Sequence, residues 1–331
     1  KPASSISSLV TNWHHHQLGE IRFGARVLCC FADMAKKGIQ YVVVDAFTAE
    51  PFKGHPAAVC FLEDDAAAPT GDGRWMQSVA VEFNQSQTAF VSRDSSSLAA
   101  GAAIPRFHLR WFTTVTEVAL CGHATLATAH FLFTAVLGER HGVVEFATKS
   151  GILTAKKVPA PETEEQGKLF IELNFPMSDY VGCDPADELP SIPETLNGAS
   201  VVSVHKSLTT TDFIVELSSG KEVADLLPNI EEIGKCAGRG VIVTGPAPPG
   251  SGYDFFSRFF CPKFGIDEDP VCGSAHCVLA PYWGEKLGKQ KLIAFQASPR
   301  SGTLYLELDV ADKRVLIQGE AVTIMSGTLF A

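Results

Sequence analysis

Asp267-Glu268-Asp269-Pro270-Val271-Cys272-Gly273-Ser274-Ala275-His276-Cys277 runs directly into Val278-Leu279-Ala280-Pro281-Tyr282-Trp283. An acidic run and a proline end an irregular segment, and three small residues then open an apolar helix. The first turn of a helix holds backbone N–H groups without intrahelical partners and carries a partial positive charge. Small residues at that turn let an anion approach those donors closely. Asp269, Cys272, Ser274 and His276 crowd the same rim with a carboxylate, a thiol, a hydroxyl and an imidazole. Taken alone, the stretch reads equally well as a capped helix start with an incidental cysteine.

The chain repeats this grammar. Val118-Ala119-Leu120-Cys121-Gly122-His123-Ala124-Thr125-Leu126-Ala127 again sets Cys-Gly, a polar residue and Ala ahead of an apolar helix. From Ala124 to Val136 only Thr and His interrupt the apolar run. A helix apolar on all sides is buried in a protein core or spans a membrane, and spanning takes ~20 apolar residues. This run is too short, so two buried helices with matching starts are expected. They imply two similar halves whose helix N-termini face one cleft.

With these stretches in place, the sequence resembles the PhzF-like (phenazine biosynthesis-like) isomerases. Cys-Gly-His-Ala-Thr at 121–125 and Glu-Asp-Pro-Val-Cys-Gly-Ser-Ala-His at 268–276 look like two signatures of that family. Val44-Asp45-Ala46-Phe47-Thr48 agrees, as does Phe52-Lys53-Gly54-His55-Pro56-Ala57-Ala58-Val59. So do Asn84-Gln85-Ser86-Gln87-Thr88-Ala89-Phe90-Val91 and Arg110-Trp111-Phe112-Thr113. The resemblance runs from about Ile39 onward. It implies an α+β fold shared with diaminopimelate epimerase and proline racemase. Two similar domains each wrap a curved antiparallel, barrel-like sheet around a central helix, with a cleft between them, and no cofactor takes part.

Composition sets bounds. The chain has 331 residues, 46% hydrophobic and 19% charged, so a globular protein with an ample core is expected. A net charge of −10 argues against nucleic acid and anionic membrane as partners. A small anionic metabolite remains compatible, because helix N-termini act locally. Nine cysteines without CxxC or a Cys/His metal spacing favour free thiols in a reducing, cytoplasmic setting, with no metal. A homodimer is a fair prior for the oligomeric state. Residues 1–37, Ser-rich and carrying His14-His15-His16, read as a flexible extension. Residues 38–150 read as the first half, with 318–331 crossing back to join it, and 151–317 as the second.

The chemistry follows from the cleft. Two helix N-termini hold a substrate carboxylate without any Arg or Lys, and Gly122, Ala124, Gly273 and Ala275 are the expected binding positions. By the resemblance, a glutamate of the Asn-x-Ser-Glu-Thr motif is the proton shuttle, assisted by the residues standing here as His123, Asp269 and Ser274. This chain has Gln87 at the shuttle position. An amide neither gives nor takes a proton as an acid or base, so a weakened isomerase is implied, with Gln87 holding substrate by hydrogen bonds. His55 likewise stands where the family motif has Asn. A second reading is a cofactor-independent racemase or epimerase working with two thiols, Cys121 and Cys272, each activated by a helix N-terminus. A third is a catalytically silent binding protein. His130 reads as a hydrogen-bonded core histidine, and His276 and Cys277 as packing.

Overall fold

The structure, a computed structural model, describes residues 38–63, 72–96, 104–183 and 195–330. The N-terminal extension read from the sequence lies outside them. Residues 38–329 form one compact unit. It begins with strand β1 (Ile39–Ala46), which pairs antiparallel with β2 (His55–Leu62). Helix α1 (Gly73–Phe83) carries the chain to β3 (Thr88–Arg93), parallel to β2, and β4 (Arg106–Phe112) returns antiparallel. After the short β5 (Glu117–Val118), helix α2 (Gly122–Phe131) crosses to β6 (Val143–Thr148), parallel to β4. Strands β7 (Gly151–Val158) and β8 (Phe170–Pro176) follow as antiparallel neighbours.

The same order then recurs. After β9 (Tyr180–Gly182) come β10 (Val201–Ser207) and β11 (Phe213–Leu217), an antiparallel pair. Short helices α3 (Gly220–Asp225) and α4 (Ile230–Lys235) lead to β12 (Val241–Pro246), parallel to β11. Strand β13 (Phe255–Cys261) returns antiparallel, followed by the short β14 (Ile266–Asp269). Helix α5 (Gly273–Leu287) crosses to β15 (Lys291–Gln296), parallel to β13, and β16 (Gly302–Asp309) and β17 (Arg314–Gly319) complete the run. Parallel neighbours need a crossover where antiparallel ones need only a turn. Each half therefore places its long helix between two parallel strands and surrounds it with sheet.

Two details join the halves. β8 pairs with β17, and the closing strands change places: β9 adds to β10, while β18 (Ala321–Leu329) adds to β1 with Ile39 opposite Leu329. One apolar core runs through both halves and includes Leu126 and Leu132 with Leu279 and Tyr282. On the outer faces, α1 seats Met76, Val79 and Ala80 on Phe90 and Phe112, and α3 and α4 seat Val223, Leu226 and Ile233 on Phe213 and Phe260.

Burial governs the two long helices. In α2 every residue except His130 is buried. Thr125 and Thr128 are tolerated there because their hydroxyls donate to the carbonyls of Cys121 and Ala124 at 2.5 and 2.7 Å. The helix expected to run evenly to Val136 changes to a π turn over Leu132–Val136. In α5, Pro281 lacks an N–H for the Cys277 carbonyl. That oxygen instead accepts the Ser178 N–H at 3.0 Å, which ties the link between β8 and β9 to the helix. His130, expected to be hydrogen-bonded, has a buried Nδ1 with no hydrogen-bond partner among the described residues.

The two helix starts meet backbone to backbone. A Cβ built on Gly122 lies 3.2 Å from the Gly273 Cα, and one built on Gly273 lies 3.4 Å from the Gly122 Cα. A side chain at Gly122 presses on the Gly273 backbone, which has to give by a few tenths of an ångström to admit it. Gly122→Ala is expected to lower stability by about 1–3 kcal/mol, the usual range for overpacking. Gly142→Ala, at a position with open space around it, is expected to stay within about 0.5 kcal/mol. Chemical denaturation of the two variants checks this, and equal midpoints would contradict the contact.

Candidate active site

Where the helix starts meet, a cavity of about 180 Å³ opens. Cys121, Gly122 and His123 line it from α2, and Cys272, Gly273 and Ser274 from α5. Neither N-cap residue, Cys121 or Cys272, makes a side-chain cap hydrogen bond, so neither side chain competes with an anion for the first-turn N–H groups. Asp269 reaches the wall from the end of β14. Gln87 reaches it from the loop after α1, which Asn84 ends at φ 50°. The structure thus gathers Gln87, Cys121, Gly122, His123, Asp269, Cys272, Gly273 and Ser274 around one space. Ala124 and Ala275 are not on the wall. Both are packed into the core at 0% and 1% exposure, because the third helical position turns its Cβ away from the opening.

Three residues complete the surroundings. His55, in β2, stacks flat on His123 with ring centroids 3.3 Å apart. Its Nδ1 lies 2.9 Å from the Val271 carbonyl and 3.2 Å from Asp269 Oδ1, and its Nε2 lies 2.8 Å from Ser86 Oγ. Arg239 enters from the loop after α4. Asp212 holds it with two hydrogen bonds, 2.8 and 2.5 Å, and its guanidinium donates to Ser274 Oγ at 3.3 Å. Arg239 thus lines the cavity beside the two helix starts, a cation that the sequence reading did not place there. Arg239 escaped the sequence reading because Gly238-Arg239-Gly240 is a loop without a pattern. His55 stood out in the sequence only as a replaced residue, and its neighbours come from distant strands.

Gln87 Oε1 and Asp269 Oδ1 are buried and make no hydrogen bond among the described residues, and Asp269 Oδ1 has the His55 ring beside it at 3.2 Å. Gln296 fixes the α5 start by accepting the Cys272 N–H at 2.8 Å and donating to the Asp269 carbonyl at 2.6 Å. Among the described residues no group of three His, Cys, Asp or Glu side chains is arranged to hold a metal ion.

A family model described as phenazine biosynthesis-like protein (PhzC-PhzF) matches residues 44–327. The chain belongs to this family. An uncharacterized isomerase of Halalkalibacterium halodurans is 41% identical over 288 residues, covering 87% of this chain and 97% of its own. Phenazine biosynthesis-like domain-containing protein 1 of Mus musculus is 40% identical over 301 residues, with 87% and 98% covered. A PhzF-family structure from Enterococcus faecalis superposes with a TM-score of 0.73 at 34% identity, covering 89% of this chain and all of that one. A hydroxyproline epimerase structure from Agrobacterium vitis (TM-score 0.52, 10% identity, 90% and 94% covered) shares the fold.

In this PhzF-family protein the thiols run against the helix-terminus expectation. Burial pushes the Cys272 thiol up to about 12, and the Asp269 charge adds to it. Burial likewise drives Cys121 far up, overriding the favourable N–H of Ala124. Removal from water outweighs the helix ends, so both thiols stay protonated at neutral pH. Alkylation followed by peptide mapping is expected to leave Cys121 and Cys272 unmodified from pH 7 to 9 in the native protein. A reaction midpoint below ~8.5, the value of an ordinary thiol, would contradict this.

The histidines respond oppositely. Burial lowers His123 well below its usual range, with His55 adding to it, and lowers His276 to about 4. His276 lies between the Cys272 carbonyl (2.7 Å) and Ser257 Oγ (3.4 Å), and burial keeps it neutral against the carbonyl, which favours a proton on the ring. A histidine with a depressed folded-state pKa binds its proton first in the unfolded chain, so stability falls as pH drops below about 6.5 and continues falling toward 4. The urea midpoint is expected to decline from pH 7 to pH 5, and His276→Gln is expected to flatten that slope.

Proposed function

We propose that this protein is an isomerase that moves a proton on a small carboxylate-bearing metabolite held in the cavity between the α2 and α5 starts. The observation that carries the reading is the pairing of two unsatisfied buried acceptors with a cationic corner. Gln87 Oε1 and Asp269 Oδ1 make no hydrogen bond among the described residues, while Arg239, Ser274 and the two helix N-termini present donors to an anion. A carboxylate lodged on the donor side sets its neighbouring carbon beside Asp269.

The roles divide by what each group can do. Asp269 is the group on the wall able to take up and return a proton within hydrogen-bond reach. Gln87 holds the substrate through its amide and leaves the proton to Asp269. His123, kept neutral by burial, contributes a hydrogen bond without a charge. Arg239 and Ser274 orient the carboxylate. The cavity is smaller than the ~300–1,000 Å³ of drug-sized sites, which fits a small metabolite.

The test is deuterium incorporation from heavy water into a panel of small unsaturated, amino and imino acids, read by mass spectrometry. Asp269→Asn is expected to reduce incorporation ~10²-fold or more. Gln87→Glu, which adds a titratable group, is expected to raise it within the ~10²–10⁴-fold range of general acid–base catalysis. Cys121→Ser and Cys272→Ser should each stay within about tenfold of the parent. Collapse in both serine variants, with Asp269→Asn active, would transfer the chemistry to the thiols. No incorporation with any acid, in the parent or in Gln87→Glu, would leave a binding protein.

A further inference from the structure

The cavity between the helix starts changes character with depth. Its inner wall is polar and shut off from water: Cys121, His123, Asp269 and Cys272 are all buried. Its outer wall is apolar and more open. Val118, Leu120 and Ile266 are half-buried, and Phe264 is 49% exposed.

Both halves build this rim in the same way. The segment leading into each long helix brings the apolar residues, and the helix start brings the polar ones. Val118 and Leu120 precede Cys121, while Phe264 and Ile266 precede Cys272. Gly265, at φ 76°, turns the chain between Phe264 and Ile266. Val118, Leu120 and Ile266 rest on the edge of the core, which accounts for their places. Phe264 stands at the mouth with half its surface in water. One exposed phenylalanine is ordinary. Four apolar side chains from two halves around one opening form a patch of the kind that receives a ligand.

Charge is confined to the inner end. Among the described lining residues, Arg239 and Asp269 are the charged ones. Asp212 fixes Arg239 through two hydrogen bonds, and its guanidinium lies over the Phe259 ring at 5.0 Å. Arginine only donates, so Ser274 Oγ accepts from it at 3.3 Å. The serine proton is left for the Cys272 sulfur, 3.3 Å away, or for a ligand oxygen. One carboxylate is thereby provided for. A second carboxylate placed at the rim would lose hydration without gaining a cation, and an ammonium there would gain no carboxylate. Each methylene drawn from water onto the rim is worth about fourfold in affinity.

We infer that the ligand of this site is a monocarboxylate with a compact apolar arm, and that Phe264 selects the arm together with Leu120 and Ile266. The carboxylate lies deep, on Arg239 and Ser274, and the arm covers the apolar rim. The inference rests on the carboxylate-binding part of the proposed function and is independent of the proton transfer.

The test compares acids of one chain length. Valerate, glutarate and δ-aminovalerate differ at the end away from the shared carboxylate, and acetate lacks the arm. Saturation-transfer NMR on the full chain reads their dissociation constants into the millimolar range. Valerate is expected to bind at least ~10-fold more tightly than each of the other three. Phe264→Ala is expected to weaken valerate roughly fivefold or more while leaving acetate within about twofold, and Phe264→Leu to restore most of the loss. Ser274→Ala is expected to weaken acetate and valerate alike, which places both at this cavity. An unchanged urea midpoint reports that each variant is folded. Glutarate or δ-aminovalerate binding as well as valerate would overturn the inference. So would undetectable valerate binding, or valerate affinity indifferent to Phe264→Ala. A preference for valerate in a protein that incorporates no deuterium would uphold this inference and reject the isomerase reading. Deuterium incorporation into a dicarboxylate alone would do the reverse.

Discussion

The approach of Gly122 to Gly273 is the contact on which the rest of this molecule depends. It brings the positive ends of two helices together, an arrangement that is electrostatically unfavourable by itself. The surrounding sequence offsets it: Asp269 supplies negative charge beside both starts, and Gln296 pins the α5 start through the Cys272 N–H. Glycine at 122 makes the approach possible, since a Cβ there would stand 3.2 Å from the Gly273 Cα, tighter than ordinary contact, while one on Gly273 would reach ordinary contact at 3.4 Å. The cavity exists because two backbones can touch there while their flanking side chains stand apart.

A balance between burial and dipole then decides what each side chain can do. A helix N-terminus favours thiolate, and the sequence offers a cysteine at each start. Both cysteines are buried, at 7% and 6% exposure, and desolvation wins. The same sealing keeps His123 and His276 neutral. On the cavity wall this leaves Asp269, whose Oδ1 makes no hydrogen bond among the described residues, as the carboxylate beside both helix starts.

Much of the fold was legible in the sequence because its defining elements are local. The two Cys-Gly starts, the apolar helix after each, and the alternation at Leu169 to Phe175 announce themselves within a few residues, and the doubled grammar implied the doubled architecture. The candidate site was legible where it falls on those starts. It was not where side chains meet by topology alone. Arg239 arrives from a glycine-flanked loop and is held by Asp212 in the turn before β11. The His55–Asp269 pair joins β2 to β14 across the two halves. Ala124 and Ala275 shared the motif without sharing the wall, since their orientation depends on the helical turn. How deeply the two thiols are buried was not legible either, because exposure is a property of the whole packed core.

The exchange of closing strands constrains how the molecule assembles. The sheet around α2 needs β18 beside β1, and that pairing joins Ile39 to Leu329. During synthesis the first half therefore waits with an open edge until nearly the entire described sequence has emerged from the ribosome. Contacts of such long range make folding slow, and unpaired edges invite association with other chains. Truncation within β18 would thus damage the beginning of the described fold more than its end, and this protein is expected to lean on chaperones while the edge of β1 opposite β2 stands open.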